Sequence, residues 1–449
     1  MSGVISKMFS KRGVALALVI SAILIFGFDI APIVRYLLLI LIFFVCISGL
    51  AHKGGNGNGN EYWSVVFHTP LFWLLGALFL AGLGGVFFSP EPFSSLKNFW
   101  SEFFLNFLAY VSVSLFFLKN NLPKRWMHFL LGVNALFVLV YLALLAQWVL
   151  FPTSPLFPRD DANVTGSGVS LFFNFGNGSE IFNGIKHTSL FLTLMISISF
   201  GILAMRHPLS RYAAILLLLD LFLLFSTTRR AAIIAVFSTM FLMSFLMATA
   251  RKYAALALVF LSVLFGLIWI TGSQEHFIRE DWSLICQGKI EKAKELGGSI
   301  PLRFVTYREF LKEIAKEPFR PKGLGKKLIR VYHPQLVKRA GLQHGHNVFI
   351  DYAFELGVQG ALLLFFVCMN QGILFFRAFK ESNDIEEKTL LFASISFLLM
   401  FWGANMFTDG FVNDTSAIYW LFTGLATAVA LKSKKMEYLS YSSNRASTN

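Results

Sequence analysis

The sequence predicts an all-α membrane protein of about twelve transmembrane helices, with one large helical loop between the ninth and the tenth. Three observations predict it. Hydrophobic residues make up 56% of the chain and charged residues 14%, whereas about a quarter of a soluble domain is charged. Uncharged apolar runs close to the ~20 residues that cross a hydrocarbon core recur from Val14 to Leu431. Lysine and arginine gather in alternate connections between those runs. A soluble fold is excluded.

In chain order the runs place spans at residues 13–28, 32–50, 70–88, 97–118, 127–151, 187–205, 211–226, 231–249, 253–271, 348–376, 389–407 and 415–431. The first follows Lys7, Lys11 and Arg12, as a signal peptide would, but no small-residue cleavage site precedes Asp29 and Pro32. It reads as a retained signal anchor. Cys46 and Cys368 fall inside apolar runs and Cys286 stands alone in a polar stretch, which suggests neither a disulfide framework nor a cysteine metal site.

A cytoplasmic N-terminus puts Lys53, then Lys119, Lys124 and Arg125, then Arg206 and Arg211, then Arg251 and Lys252 on one side of the membrane. Arg377, Lys380 and Lys388 follow there, and then Lys432, Lys434 and Lys435. Every connection on that side obeys the positive-inside rule, so both termini are expected in the cytoplasm. The short outward loops around Asp29, at 89–92 and at 407–414 are acidic or nearly uncharged. The net charge of +14 is thereby assigned to topology. No aromatic and basic nucleic-acid module is visible, and anionic or phosphorylated lipids are the better partners for the surplus.

The chain therefore divides into a first block of spans at 1–271, an outward loop domain at 272–347, a second block of spans at 348–431 and a cytoplasmic tail at 432–449. The loop domain carries fifteen Lys or Arg against eight Asp or Glu. Within it, Leu302, Phe304, Val305, Phe310, Leu311 and Ile314 interleave with charged residues after Pro301, which predicts an amphipathic helix lying over the mouth of the bundle. The stretch GGNGNGN at 54–60 is a flexible linker, and the tail after Lys435 reads as disordered.

Few residues have chemistry to offer. Only FSTTRRAA separates the seventh span from the eighth, so Arg229 and Arg230 sit at the outer membrane boundary, against the topology pattern. Ionisable groups at such depth tend to face a cavity or a partner, and a guanidinium fork suits a phosphate. The competing reading has both side chains snorkel to lipid head groups. Arg303, at the head of the amphipathic segment, is a second candidate phosphate ligand, the competing reading being one more charge on a solvated basic face.

His344 and His346 stand where the loop domain re-enters the membrane. There a histidine could accept a proton near neutral pH, or the two could be plain interfacial residues capping a helix. A paired-histidine metal site is the weaker reading, because no third ligand stands at the needed spacing, and no metal or cofactor is expected. Glu355 is placed as a structural anchor, and Asp409 and Asp414 as structural acids. A transporter, the reading from a different class, would show intramembrane acids or broken helices in two matching halves. Here ionisable residues inside spans are nearly absent, apart from Arg35, Asp220 and Glu102 near helix ends or faces, and the halves do not look alike.

Three blocks, FSTTRRAAIIA, LRFVTYREFLKEIAKEPFRPKGLGKKL and HGHNVFIDYAFELGVQGALL, together resemble the O-antigen ligase family, with its polymerase relatives, over roughly residues 220 to 365. The family's outward-loop arginine after Ser or Thr is matched by Arg229, and the arginine opening its large loop by Arg303. Its His-Asn pair before a Glu-x-Gly-x-x-Gly helix end is matched by His346, Asn347, Glu355, Gly357 and Gly360. Two departures stand out. The usual Pro-x-x-Gly-x-Gly turn is longer here, from Pro318 to Gly325, and the first arginine is doubled, leaving Arg230 as an alternate.

The resemblance implies a metal-independent, GT-C-like glycosyltransferase of a bacterial inner membrane, with its active face toward the periplasm. The donor is an undecaprenyl diphosphate-linked glycan and the acceptor a lipid A-core oligosaccharide. His346 is implied as the catalytic base, and Arg229, Arg303, Arg230, His344 and Asn347 as substrate-binding residues. Polymerases and protein O-oligosaccharyltransferases are the near alternatives.

Overall fold

A computed structural model describes residues 11–27, 32–51, 65–66, 68–123, 126–150, 185–226, 230–245, 260, 287, 299–325, 327–332, 334, 345, 347–407 and 413–447, all-helical where regular. The first block of helices comprises α1 (Lys11–Gly27), α2 (Pro32–Ala51), α3 (Pro70–Phe88) and α4 (Pro92–Asn120), then α5 (Trp126–Leu150), α6 (Ile185–Ala204), α7 (Ser210–Ser226) and α8 (Arg230–Phe245). The amphipathic segment forms α9 (Ser299–Lys316) and is followed by the short α10 (Lys327–Tyr332). The chain continues as α11 (Val348–Leu356), α12 (Val358–Glu381), α13 (Ile385–Asn405) and α14 (Asn413–Ser447).

Five helices, α3, α4, α5, α12 and α13, are long and apolar enough to cross a membrane, and stretches of α1, α2, α6 and α8 form shorter apolar helices. The chain is by these helices a multi-pass membrane protein. The expected spans at 211–226 and 415–431 coincide with α7 and the first half of α14, while the one at 253–271 falls outside the described residues. Three expectations are corrected. The span from 348 to 376 is two helices, broken at Gly357, whose φ of +78° ends one and starts the other. The fourth span begins five residues early because Pro92 occupies a first-turn position, where its missing N–H costs nothing, and it carries a π-helical turn at Phe99–Phe104. Finally, the stretch after Lys435 continues α14 as helix to Ser447.

Apolar packing alone holds helices weakly inside lipid, so close approach and buried polar contacts do much of the work. Small residues bring backbones together: a Cβ added at Gly201 of α6 would lie 3.0 Å from Ala393 of α13, and one at Gly403 of α13 would lie 3.2 Å from Ala235 of α8. Asn106 of α4 donates to Ser416 of α14 at 2.9 Å, and Tyr110 and Thr427 of the same two helices share a bond of 2.8 Å. Asp220 of α7, fully buried, accepts from Asn134 of α5 at 2.8 Å and from Ser199 of α6 at 3.5 Å. This acid thus serves as a three-helix joint.

Short connections alternate chain direction and so fix which helix ends lie together. Near the end of α6, Gly201 meets Thr389 and Ala393 in the first half of α13, so those two helices run antiparallel. A turn of a few residues reverses the chain from α6 to α7, and Gly403 near the end of α13 meets Ala235 near the start of α8. Helix α8 therefore starts at the end of the bundle where α13 finishes.

Replacing Asn134 with Leu is expected to strip Asp220 of its amide donor and destabilise the bundle by about 1–3 kcal/mol. A fall in the thermal aggregation midpoint in detergent measures it; an unchanged midpoint would mean that the joint carries no stability.

Candidate active site

Helix α9 forms because its apolar residues recur at helical spacing. Thr306, Phe310 and Ile314 are buried on one stripe, while Glu309 pairs with Arg308 and Lys312 at 3.0 Å each, and Glu313 pairs with Lys316 at 2.7 Å. The buried stripe does not join the bundle's core. Phe310 and Ile314 pack with Leu328, Ile329 and Phe354 in a small core shared by α9, α10 and α11, where the Phe310 and Phe354 rings lie 4.7 Å apart.

The turn from Pro318 to Gly325 locks that small core to the membrane helices. Its carbonyl at Pro318 accepts from Val358 N–H at 2.8 Å, and the N–H groups of Lys322 and Gly323 both donate to the Glu355 carbonyl, at 2.9 and 3.1 Å. Gly325 N–H donates to the Glu355 carboxylate at 3.0 Å. Leu324 N–H donates to Ser95 Oγ at 3.0 Å, and Asn98 donates to the Leu324 carbonyl at 3.0 Å. Glycine at 323 and 325 is obligatory: both have positive φ, and a Cβ there would fall 2.4 Å from Ser89 Oγ and 1.7 Å from Asn98 Nδ2 respectively. The turn's glycines suggest a phosphate cradle, but their amides are committed to Glu355, with that of Leu324 committed to Ser95. Glu355 is thus an anchor by both its backbone and its side chain.

Lys322 is buried, donates from Nζ to the Glu313 carbonyl at 2.9 Å and to its carboxylate at 3.3 Å, and lies over the rings of Tyr332 and Phe354. Burial raises the Glu313 carboxyl, but its bonds to Lys316 and Lys322 outweigh this and hold it below the ordinary value. That contribution is whole above the ordinary carboxylate pKa and is lost as pH falls through the lowered one.

Of the residues singled out in the sequence, Arg229, His344 and His346 lie outside the described residues. Arg230 is the first residue of α8. Ala235 and Gly403 meet where α8 crosses α13, so Arg230 lies ~7.5 Å of helix rise before the crossing and Met406 ~4.5 Å beyond it, at the same end of the bundle. There Asn347 donates to the Met406 carbonyl at 3.0 Å. Asn347 also caps α11, accepting from Phe349 and Ile350 N–H at 3.0 and 3.2 Å, so its side chain joins two helix ends immediately after His346.

Arg303 lies half-buried in the first turns of α9, on one stripe with Tyr307 and Phe310, four and seven residues on. Burial pushes the Tyr307 phenol above its ordinary value; Arg303 opposes the shift and Asp351 adds to it. Both charges therefore act on one ring. Gly345, between the two histidines, is buried and donates to Asp351 Oδ1 at 2.5 Å, and a Cβ added to it would lie 3.4 Å from the Phe310 ring. Gly345 thus faces Phe310, on the α9 stripe that carries Arg303. Sequence reasoning passed over Asp351; its spacing of five residues after His346, in the first turn of a capped helix, was the available signal.

Residues 213–365 match the family model described as O-antigen ligase. The match takes in both doubled arginines, Arg303 and the whole His-Gly-His-Asn segment, and it suggests a glycosyltransferase-type membrane enzyme acting on lipid-linked glycans. No curated protein matches the chain.

Gly325→Ala is expected to cost at least about 2 kcal/mol by clash and backbone strain, whereas Gly84→Ala, where an added Cβ meets nothing within 4 Å, is expected to stay within about 0.5 kcal/mol. Thermal midpoints of the two variants compare them. For Glu313, hydrogen-exchange protection of residues 309–325 should weaken below about pH 4, and Glu313→Gln should remove that acid dependence.

Proposed function

We propose that the protein is an O-antigen ligase of a bacterial inner membrane. It transfers a glycan from undecaprenyl diphosphate to a sugar hydroxyl of lipid A-core on the periplasmic face, with both termini cytoplasmic. The reading is supported by the family match and carried by one observation: Gly345, between the two histidines, faces Phe310 of α9, the helix on which Arg303 stands. Arg230 starts α8 at the bundle end where Asn347 is tied.

The chemistry follows from what the transfer demands. A lipid diphosphate leaves with growing negative charge at the membrane surface, and guanidinium groups at Arg229, Arg303 and Arg230 stabilise that charge without a divalent ion. The acceptor is an alcohol, which attacks only as its proton departs. His346 takes that proton and the attack inverts the anomeric carbon, a general-base contribution worth roughly 10²- to 10⁴-fold in rate. His344 and Asn347 frame the base, Asn347 through its cap and its tie to Met406.

Deletion of the gene in a smooth strain, followed by gel analysis of lipopolysaccharide, tests the reading. A core without O-antigen, with polymer accumulating on the lipid carrier, is the expected result. A core bearing a single repeat identifies a polymerase instead, and unaltered lipopolysaccharide with loss of a glycoprotein identifies a protein O-oligosaccharyltransferase. His346→Ala should reproduce the deletion. Arg229→Lys should fail to restore full transfer, since an ammonium cannot make the forked contact; wild-type transfer by that variant refutes the role.

A further inference from the structure

We propose that Asp351 is a positioning residue for this transfer, holding the backbone between His344 and His346 in place against α9. The inference rests on the ligase reading and extends it to a residue in the first turn of α11.

One side-chain bond, one backbone bond and one charge effect meet at this residue. Its Oδ1 accepts the Gly345 N–H at 2.5 Å, which fixes the peptide joining the two histidines. Its own N–H donates to the Asn347 carbonyl at 2.9 Å, so the acid is rigidly attached to the cap that follows His346. Its charge acts on Tyr307, the ring that also feels Arg303. One side chain therefore ties the peptide before His346 to the first turn of α11. Close packing adds a constraint, because a Cβ at Gly345 would lie 2.6 Å from Asp351 Oδ1 and 3.4 Å from Phe310. Gly345 therefore has no space for a side chain, and its N–H is held by the Asp351 carboxylate.

The requirement is for an acceptor oxygen at that point. Asparagine offers a carbonyl oxygen in the same place; alanine offers none. Loss of the acceptor frees the peptide, and a base displaced by about 1 Å costs roughly 10²-fold in turnover. Donor binding, which depends on the arginines, is little affected.

The experiment uses the full-length protein in detergent or nanodiscs, with a lipid diphosphate-linked glycan and purified lipid A-core, and compares wild type, Asp351→Ala, Asp351→Asn and His346→Ala. Asp351→Ala is expected to lower kcat about 10²-fold with KM for the donor within a few-fold of wild type, and to raise the hydrogen-exchange rate of the Gly345 amide. Asp351→Asn should recover most of kcat and slow the exchange again. Wild-type turnover by Asp351→Ala, or unchanged exchange at Gly345, overturns the proposal. So does an Asp351→Asn variant as slow as the alanine, since that outcome requires the carboxylate's charge or proton in place of its acceptor oxygen. If His346→Ala transfers glycan at the wild-type rate, the ligase mechanism fails, and unchanged Gly345 exchange in Asp351→Ala then separately rejects the anchor.

Discussion

Everything on the α9 side of the molecule depends on one glutamate receiving three backbone N–H groups. Glu355 takes those of Lys322 and Gly323 on its carbonyl and that of Gly325 on its carboxylate. The first two occupy a helix-end carbonyl that would otherwise have no partner inside the helix, and the third adds a charge-assisted bond. Through these contacts the turn after α9 closes onto α11, Ser95 and Asn98 seat it on α4, and Leu356 fits into the space left by Gly85 of α3. Remove the acceptor and α9 loses its register on the membrane helices.

The same arrangement gives the break at Gly357 its meaning. A continuous helix from 348 to 381 would use the Glu355 carbonyl and the Val358 N–H internally. By ending one helix and starting another, the chain turns that carbonyl toward Lys322 and Gly323 and that N–H toward Pro318. Helix α11 is thereby free to belong to the small core with Phe310 and Leu328, while α12 faces lipid with Leu362, Phe365, Phe366 and Met369. The Glu-x-Gly-x-x-Gly ending and the glycine-rich turn are two halves of one joint, which explains why a longer turn from Pro318 is accommodated as long as both glycines reach it.

How much of this was legible beforehand depended on the kind of signal. Apolar runs such as 70–88 and 389–407 announce their helices directly, because nothing but length and hydropathy is needed to read them. The amphipathic helix after Pro301 was equally plain, whereas the cap of α11, read as one role open to the histidines, is made by Asn347. The split at Gly357 was hidden because a glycine inside an apolar run is common, and only a partner segment thirty residues upstream makes it break. Asp351 went unread for a similar reason: its acceptor role depends on a peptide held by tertiary packing. Arg303 stood out by its place at the head of the amphipathic segment and then by family likeness, and the contact of its stripe with Gly345 depends on tertiary packing.

The occupied amides of the 322–325 turn have a consequence for anion recognition on this face. A backbone cradle offers fixed dipoles that are matched to one phosphate geometry. Here those dipoles are spent on protein oxygens, so among the described residues of this turn a polyanion would meet side chains in place of a backbone cradle. Such a grip tolerates variation in the shape of its cargo, and dissolved salt weakens it wherever water reaches the charges.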